Sequence, residues 1–415
     1  MWQGLPRRWR RHALFALTQR LAPRLGPRPE ASAEPIYVVG ALRTASGLGE
    51  SARMSLKALR AAGRDAWGID VGTLLMQDDA PQDYQFPEAG AAEGPGTLIL
   101  YVSAPLMALV MLRLGARRLK GKTVIGYWAW ELPDIPRDWH AGFRHVHEVW
   151  VPSEFTARAI ARHSQVPVRV IPYPVPPPDA RLVPAPGARR VLSVLTVFNI
   201  ASSFARKNPL AAVEAFQRAF GDNPQCRLIV KASHAEAYPA GWRQLRNLAR
   251  RNSNITLLDG LLPEAAMSRL ILECDILLSL HRSEGFGLTL AEAMYYAKPV
   301  VATAWSGNAD FLGAENSCPV AYHLVPASDP QGTYDHPALL WAEPDIEDAA
   351  RKLRALAADA ALRHRLGQRA KRDAEILFSG DRYNRLVSAY LALPLQPEAH
   401  PPAAIIHLNP RSARP

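Results

Sequence analysis

Twelve consecutive residues carry the clearest chemical signal in this chain: Ser283-Glu284-Gly285-Phe286-Gly287-Leu288-Thr289-Leu290-Ala291-Glu292-Ala293-Met294. They follow an apolar run ending at Leu280, so the order is strand, polar glycine loop, helix. Such a junction aims free backbone N–H groups and the positive end of the helix at whatever lies before it, and a phosphate suits it. Gly285 and Gly287 let a ligand approach the backbone closely. Two carboxylates, Glu284 and Glu292, would repel an anion, so their partners should be hydroxyls, as a sugar and a ribose offer. By residue type alone the stretch also reads as a capped helix with two solvated acids.

Other residues at predicted strand ends are candidates for contacts. His281-Arg282 precedes the glutamate loop and reads either as a sugar or phosphate contact or as a hydrogen-bonded structural pair. Trp128, Trp130 and Trp139 read as core or interface aromatics, or as faces on which a glycan stacks. Gly47, Gly49 and Ala52 form a G-x-G-x-x-A pattern, with Asp70 ending the next strand, as in a dinucleotide site. The spacing is poor, because residues 40–46 intervene between the strand and the first glycine.

The elements that must position these groups alternate along the chain. Strands are predicted at Ile36–Val39, Thr97–Val102, Thr123–Tyr127 and Glu148–Val151, with helices at Glu50–Ala62 and from an N-capping Ser153 to about His163. Seven prolines between Pro172 and Gly187 rule out a helix or a central strand there and indicate a stiff linker. The alternation then restarts: a strand at Val191–Phe198, a helix from Asn208 and Pro209 to Phe220, and strands at Arg227–Lys231, Ile255–Leu258, Asp275–Leu280 and Pro299–Thr303. The fold class is therefore α/β, with two doubly wound, Rossmann-like parallel-sheet domains facing across a cleft lined by strand carboxyl ends. The predicted division is a basic arm (1–34), a first domain (35–172), a linker (173–189), a second domain (190–378), a C-terminal helix packing back on the first domain (379–393) and a disordered tail (394–415).

Composition narrows the function. The 415 residues are 48% hydrophobic and 21% charged, which excludes a wholly disordered chain. Three scattered cysteines, Cys226, Cys274 and Cys318, give neither a disulfide framework nor a zinc cluster. The longest apolar stretch near the middle, Ala104 to Leu112, falls well short of the roughly 20 residues of a spanning helix. The net charge is +11, and seven arginines against one glutamate in residues 1–30 supply more than half of it. There Trp2, Leu5, Trp9, Ala13, Leu17 and Leu21 recur at helical spacing, as in a helix lying on an anionic membrane; a frayed basic extension is the alternative. The apolar core at Ala13–Leu17 is too short for a secretory signal, so a cytoplasmic location is expected.

The glutamate stretch resembles the paired-glutamate signature of glycosyltransferase family 4, with seven residues between Glu284 and Glu292. The resemblance extends to Arg206-Lys207-Asn208-Pro209 and to Thr303 through Phe311. Tyr127-Trp128-Ala129-Trp130-Glu131-Leu132-Pro133 and Glu148 through Phe155 are similar to members that build bacterial polysaccharides. It covers roughly residues 36–392 and implies a GT-B fold and retaining transfer of a hexose from a nucleotide-diphosphate sugar to a glycan or lipid-linked saccharide. It implies no cofactor and no essential metal; no Asp-x-Asp motif occurs, the nearest pattern being Asp345-Ile346-Glu347.

By this resemblance Glu292 holds the ribose, Glu284 the transferred sugar, and Lys207 the diphosphate, with Glu284 and Lys207 the catalytic pair. Arg206, Lys231, Gly285, Phe286, Gly287 and Leu288 complete the donor site. Gly47 and Gly49 close over the diphosphate or acceptor, and Trp128, Glu131, His281 and Arg282 are possible sugar or acceptor contacts. Two departures stand out. Ser202 replaces an arginine common five positions before the lysine, and Trp128 and Glu131 occupy a region where other members carry a histidine. Competing readings are a nicotinamide-dependent oxidoreductase using Gly47, Gly49, Ala52 and Asp70, and a basic nucleic-acid binder; the expectation is an enzyme that binds no nucleic acid.

Overall fold

The computed structural model describes residues 17–31, 34–75, 84–179, 181 and 191–393. Two six-stranded sheets, each wholly parallel, form two lobes. In the first lobe β1 (Ile36–Gly40), β2 (Ala66–Asp70), β3 (Gly96–Leu100), β4 (Lys122–Tyr127), β5 (Glu148–Val151) and β6 (Val168–Val170) lie in the order β2-β1-β3-β4-β5-β6. In the second, β7 (Leu192–Asn199), β8 (Cys226–Ser233), β9 (Ile255–Leu258), β10 (Ile276–Ser279), β11 (Val300–Thr303) and β12 (Cys318–Val320) lie in the order β12-β11-β10-β7-β8-β9. Central strands such as β1 and β4 are buried throughout, as parallel strands covered on both faces must be.

Helices α1 (Gly47–Ala61), α2 (Met107–Leu119) and α3 (Glu154–Ala161) belong to the first lobe. The second carries α4 (Phe204–Lys207), α5 (Pro209–Phe220), α6 (Pro239–Ala249), α7 (Glu264–Glu273), α8 (Leu288–Tyr295), α9 (Ile346–Ala358) and α10 (Ala360–Leu377). The final helix, α11 (Gly380–Leu391), crosses to α1, where Asn384 donates to the Ala58 carbonyl at 2.9 Å and the Tyr383 and Tyr101 hydroxyls meet at 3.2 Å.

Several expectations need correction. Gly47 and Gly49 are not in a loop but in the first turn of α1, capped by Ser46, whose side chain accepts from the Gly49 N–H. Asn208 does not cap α5 through its side chain: it sits in the left-handed region at φ 50° and its amide reaches Glu343 at 3.4 Å. Beyond the expected elements, an antiparallel ribbon, β13 (Tyr322–Ala327) with β14 (His336–Pro344), follows β12.

The predicted linker at 173–189 is described at 173–179 and 181, where the chain runs without helix or strand. Tyr173 and Val175 are buried within a core cluster shared by both lobes. That cluster contains an aromatic knot in which Phe286 touches Tyr173, Phe311 and Phe378 at ring separations of 5.0, 5.1 and 5.4 Å. Each such pair is worth about 0.5–1.5 kcal/mol beyond the area it buries, and the Tyr173 pair reaches the first lobe, where Tyr173 stacks on Tyr127 at 5.3 Å.

Of the basic arm, residues 1–16 lie outside the described residues. Residues 17–21 are helical, with Leu17 and Leu21 exposed and Thr18 buried. The following chain is fastened to the first lobe: His145 meets Gln19 at 2.9 Å, His147 meets the Gly26 carbonyl at 2.9 Å, and Arg28 pairs with the buried Glu148 at 2.9 Å. The tail from residue 394 also lies outside the described residues.

Candidate active site

The cleft between the lobes holds a cavity of about 1100 Å³. Its second-lobe wall begins where β10 ends. The chain there turns sharply, and Gly287, at φ 99°, adopts a conformation that favours glycine before α8 starts. The first helical bond runs from the Leu290 N–H to the Gly287 carbonyl, so the amides of Leu288 and Thr289 precede it and face outward as a helix start does. Gly285, Phe286, Gly287, Leu288, Glu284 and Glu292 all line the cavity.

A second loop, after β11, builds the seat of Glu284. The Glu284 N–H donates to Ser306 Oγ at 2.7 Å, and the Gly307 N–H donates to the Glu284 carbonyl at 2.8 Å. Ser306 is held at φ 75°, a strained conformation for a serine. A Cβ at Gly307 would stand 2.2 Å from the Gly285 carbonyl oxygen, so only glycine allows the two loops this approach.

Lys207 and Arg206 come from α4, one turn bracketed by two left-handed residues, Ser203 and Asn208. Ser203 Oγ caps the turn by accepting from the Arg206 N–H at 3.1 Å. The turn directs both cations at Glu284: Lys207 Nζ bonds Oε1, and Arg206 Nη1 lies 3.3 Å from Oε2. Burial opposes charge on Glu284, but Lys207, Arg206 and His281 outweigh it and hold the carboxyl down at about 2. Burial lowers the Lys207 ammonium in spite of Glu284. Arg206, 2% exposed, also donates to the carbonyls of Ser283 at 2.8 Å and Ser202 at 2.9 Å.

Glu292 lines the same cavity. Burial, then the charges of Glu50 across the cleft and of Glu264, push its carboxyl up to about 8. The two predicted carboxylates thus share one cleft in opposite protonation states at neutral pH.

The first-lobe wall includes Ser46, Gly47, Trp130, Glu131, Trp139 and Tyr173. Gly49 does not line the cavity; a Cβ there would meet the Ala41 and Thr44 carbonyl oxygens at 2.5 and 2.8 Å, so it serves the tight turn into α1. The lobes touch beside the glutamate loop. Ser153 Oγ donates to the Gly285 carbonyl at 2.6 Å, Ser283 Oγ bonds the Glu131 carbonyl, and the Glu154 N–H at the start of α3 donates to Asp310 at 2.7 Å. Burial raises the Asp310 carboxyl to about 6.

Other predicted contacts are not brought to the cleft. Trp128 is fully buried in the first-lobe core, edge-on to Trp139 at 5.9 Å. His281 is fully buried between Ser279 at 3.0 Å and Asn308 at 2.9 Å. Arg282 turns to the ribbon, donating to Glu343 at 2.6 Å and to the Ala205 carbonyl at 2.7 Å. His281 and Arg282 are thus taken up by hydrogen bonds within the second lobe, and Trp128 by aromatic packing in the first. Lys231 reaches the cleft wall but donates to the carbonyls of Ala232 and Gly260. The supposed dinucleotide fingerprint is not supported either: Gly49 does not line the cavity, and Asp70 accepts from the Arg43 N–H at 3.2 Å. Among the described residues no group of three or more His, Cys, Asp or Glu could hold a metal ion, and no helix is long and apolar enough to cross a membrane.

Sequence reading missed Ser306, Asp310 and Tyr334. The first two lie within the stretch Thr303–Phe311 whose resemblance was legible, but no residue pattern marks a hydroxyl that accepts from a distant amide. Tyr334, in the turn of the unpredicted ribbon, gave no signal.

Residues 193–373 match the family model of glycosyl transferases group 1. A glycosyltransferase from Rickettsia africae superposes with a TM-score of 0.60 at 15% identity, covering 86% of this chain and 97% of that one. HepE of Anabaena, in complex with UDP-glucose, gives 0.61 at 14% identity over 86% and 99% of the two chains. A mutant of S. aureus TarM, in complex with fondaparinux, α-GlcNAc-glycerol and UDP, gives 0.52 at 15% identity over 72% of this chain and 55% of that one. This chain therefore spans little more than half of the TarM chain's length. No curated protein matches the sequence. The fold is GT-B, with two parallel-sheet lobes facing across the cleft.

Proposed function

We propose that this chain is a retaining, metal-independent glycosyltransferase that moves a hexose from a nucleotide-diphosphate sugar to a glycan or lipid-linked saccharide in polysaccharide biosynthesis. The observation that carries the reading is the meeting of Glu284, Glu292 and Lys207 in one interlobe cavity, at the start of α8. The diphosphate takes the helix-start amides and Lys207, releasing Glu284 from its ion pair to face the sugar hydroxyls. Its charge then supports an oxocarbenium-like transition state. The bond from the anomeric carbon to the phosphate oxygen breaks, the bond to the acceptor oxygen forms on the same face, and the departing phosphate oxygen takes the acceptor's proton. Glu292 holds the ribose hydroxyls. Arg206, folded back onto the Ser202 carbonyl, returns positive charge to the place where other members carry it at that position. Lys231 organises the wall near Gly260 rather than neutralising phosphate.

The membrane reading rests on the arm, where Leu17 and Leu21 stay exposed beside Arg20 and Arg24 while the chain after them is fastened to the first lobe. We read residues 1–30 as lying on an anionic membrane surface.

The test is a panel of uridine, guanosine and thymidine diphosphate sugars with purified protein in EDTA. Turnover of one member, with the new linkage in the donor's anomeric configuration by NMR, is expected; inversion, or activity only after a divalent metal is added, refutes the mechanism.

A further inference from the structure

The β13–β14 ribbon is built to deliver one side chain to the cleft. Asp329, 1% exposed, shapes its turn by accepting from the Gln331 N–H and the Tyr334 N–H, both at 3.1 Å. Gln331 fastens the turn to the cation-bearing segment, accepting from the Phe204 N–H at 2.6 Å and donating to the Ile200 carbonyl at 3.0 Å. So anchored, the Tyr334 ring lies over the Arg206 guanidinium at 5.1 Å and against Trp130 at 5.3 Å. Its hydroxyl crosses to the first lobe and donates to Glu131 Oε2 at 2.7 Å. Burial and the nearby Glu131 raise the phenol well above its ordinary value, so it stays a donor at neutral pH. Glu131 lines the cavity, and its backbone carbonyl is bonded to Ser283, beside Glu284.

We infer that Tyr334 is a positioning residue: it fixes one carboxylate oxygen of Glu131 so that the other accepts a hydroxyl of the transferred sugar, opposite Glu284. The inference rests on the glycosyltransferase reading and adds the first-lobe half of the sugar site. A carboxylate held on one oxygen by a phenol and by its backbone has little freedom left, and the remaining oxygen is a directed acceptor. Because the phenol belongs to the second lobe and the carboxylate to the first, the acceptor is aligned only when the lobes are together.

The experiment uses the full chain, with donor hydrolysis by water as the readout, so no acceptor need be identified. Y334F keeps the ring on Arg206 and Trp130 and removes only the hydroxyl. It should bind UDP within twofold of wild type and melt at the same temperature, while kcat for the hydrolysed nucleotide sugar falls about tenfold, as for loss of an oriented hydrogen bond to a charged group. E131Q should fall at least as far, and the double variant no further than E131Q, because Tyr334 acts through Glu131. Wild-type turnover by Y334F, or effects that multiply in the double variant, overturns the inference alone. A wild-type protein that turns over no member of the nucleotide-sugar panel overturns the glycosyltransferase reading and this one with it.

Discussion

A carboxyl raised to about 8 must shed its proton before both of its oxygens can accept the two hydroxyls of a ribose, and that sets the strongest test of the role given to Glu292. At pH 7 about one molecule in ten carries Glu292 ionised, which weakens nucleotide-sugar binding about tenfold relative to pH 9. The dissociation constant should therefore fall about tenfold per pH unit between pH 6 and 7 and flatten above pH 8. At pH 7 binding should release about 0.9 proton. Isothermal titration of the best-bound nucleotide sugar, in two buffers of different ionisation enthalpy, measures both quantities. A nucleotide sugar, unlike free UDP, has no phosphate that titrates in this range. E292Q should bind more weakly at pH 8 and lose both the pH dependence and the proton release. A wild-type dissociation constant that is flat from pH 6 to 8, with no proton released, refutes the reasoning.

The same group gives a stability signature. Its pKa is raised on folding, so the native state is favoured by the proton and loses stability as pH climbs from about 4.5 toward 8. The Tm of E292Q should exceed that of wild type by at least about 2 °C at pH 8 and converge with it near pH 5, by scanning calorimetry. E284Q should retain nucleotide binding within a few-fold yet lose at least about a hundredfold in kcat; equal losses in binding and turnover would deny it a transition-state role. G307A forces apart the two loops that seat Glu284 and should lower kcat/KM by at least about tenfold, a 1.4 kcal/mol effect, in steady-state assays. D310A, which removes the acceptor of the Glu154 N–H at the lobe contact, should cost more stability in urea unfolding at pH 5 than at pH 8, because a carboxyl raised to about 6 on folding favours the native state only below that pH.

What could be read from the sequence divides along physical lines. Most of the parallel strands were legible because burial on both faces demands unbroken β-branched and apolar runs, and β5 and β9 fall on their predicted residues, whereas the three-residue edge strands β6 and β12 were not predicted. The helix at Gly47–Ala61 was read three residues late because two glycines resemble a loop, whereas Ser46 caps them into a first turn. The ribbon escaped because its outward face carries Tyr322, Leu324 and Leu340, which breaks the polar alternation expected of an exposed hairpin. At the site, the glutamate loop stood out by residue type and spacing, but the roles given to the glutamates and to Lys207 came from the family resemblance. For His281, Arg282 and Trp128 sequence left a contact and a structural reading side by side, because position at a strand end does not fix the direction of a side chain: the partners that claim them, Asn308, Glu343 and Trp139, lie 11 to 61 residues away.

Phe286 gives the loop between the glutamates a second allegiance, since its ring is the hub on which Tyr173, Phe311 and Phe378 converge. The bed on which a sugar would rest and a contact that joins the halves are thereby one object. Descendants of this sequence cannot widen their jaws by repacking that hub without tilting the bed. Tolerated changes of opening angle should accumulate instead in the proline-bearing strap at 174–178, which can be lengthened or stiffened while the hub stays still.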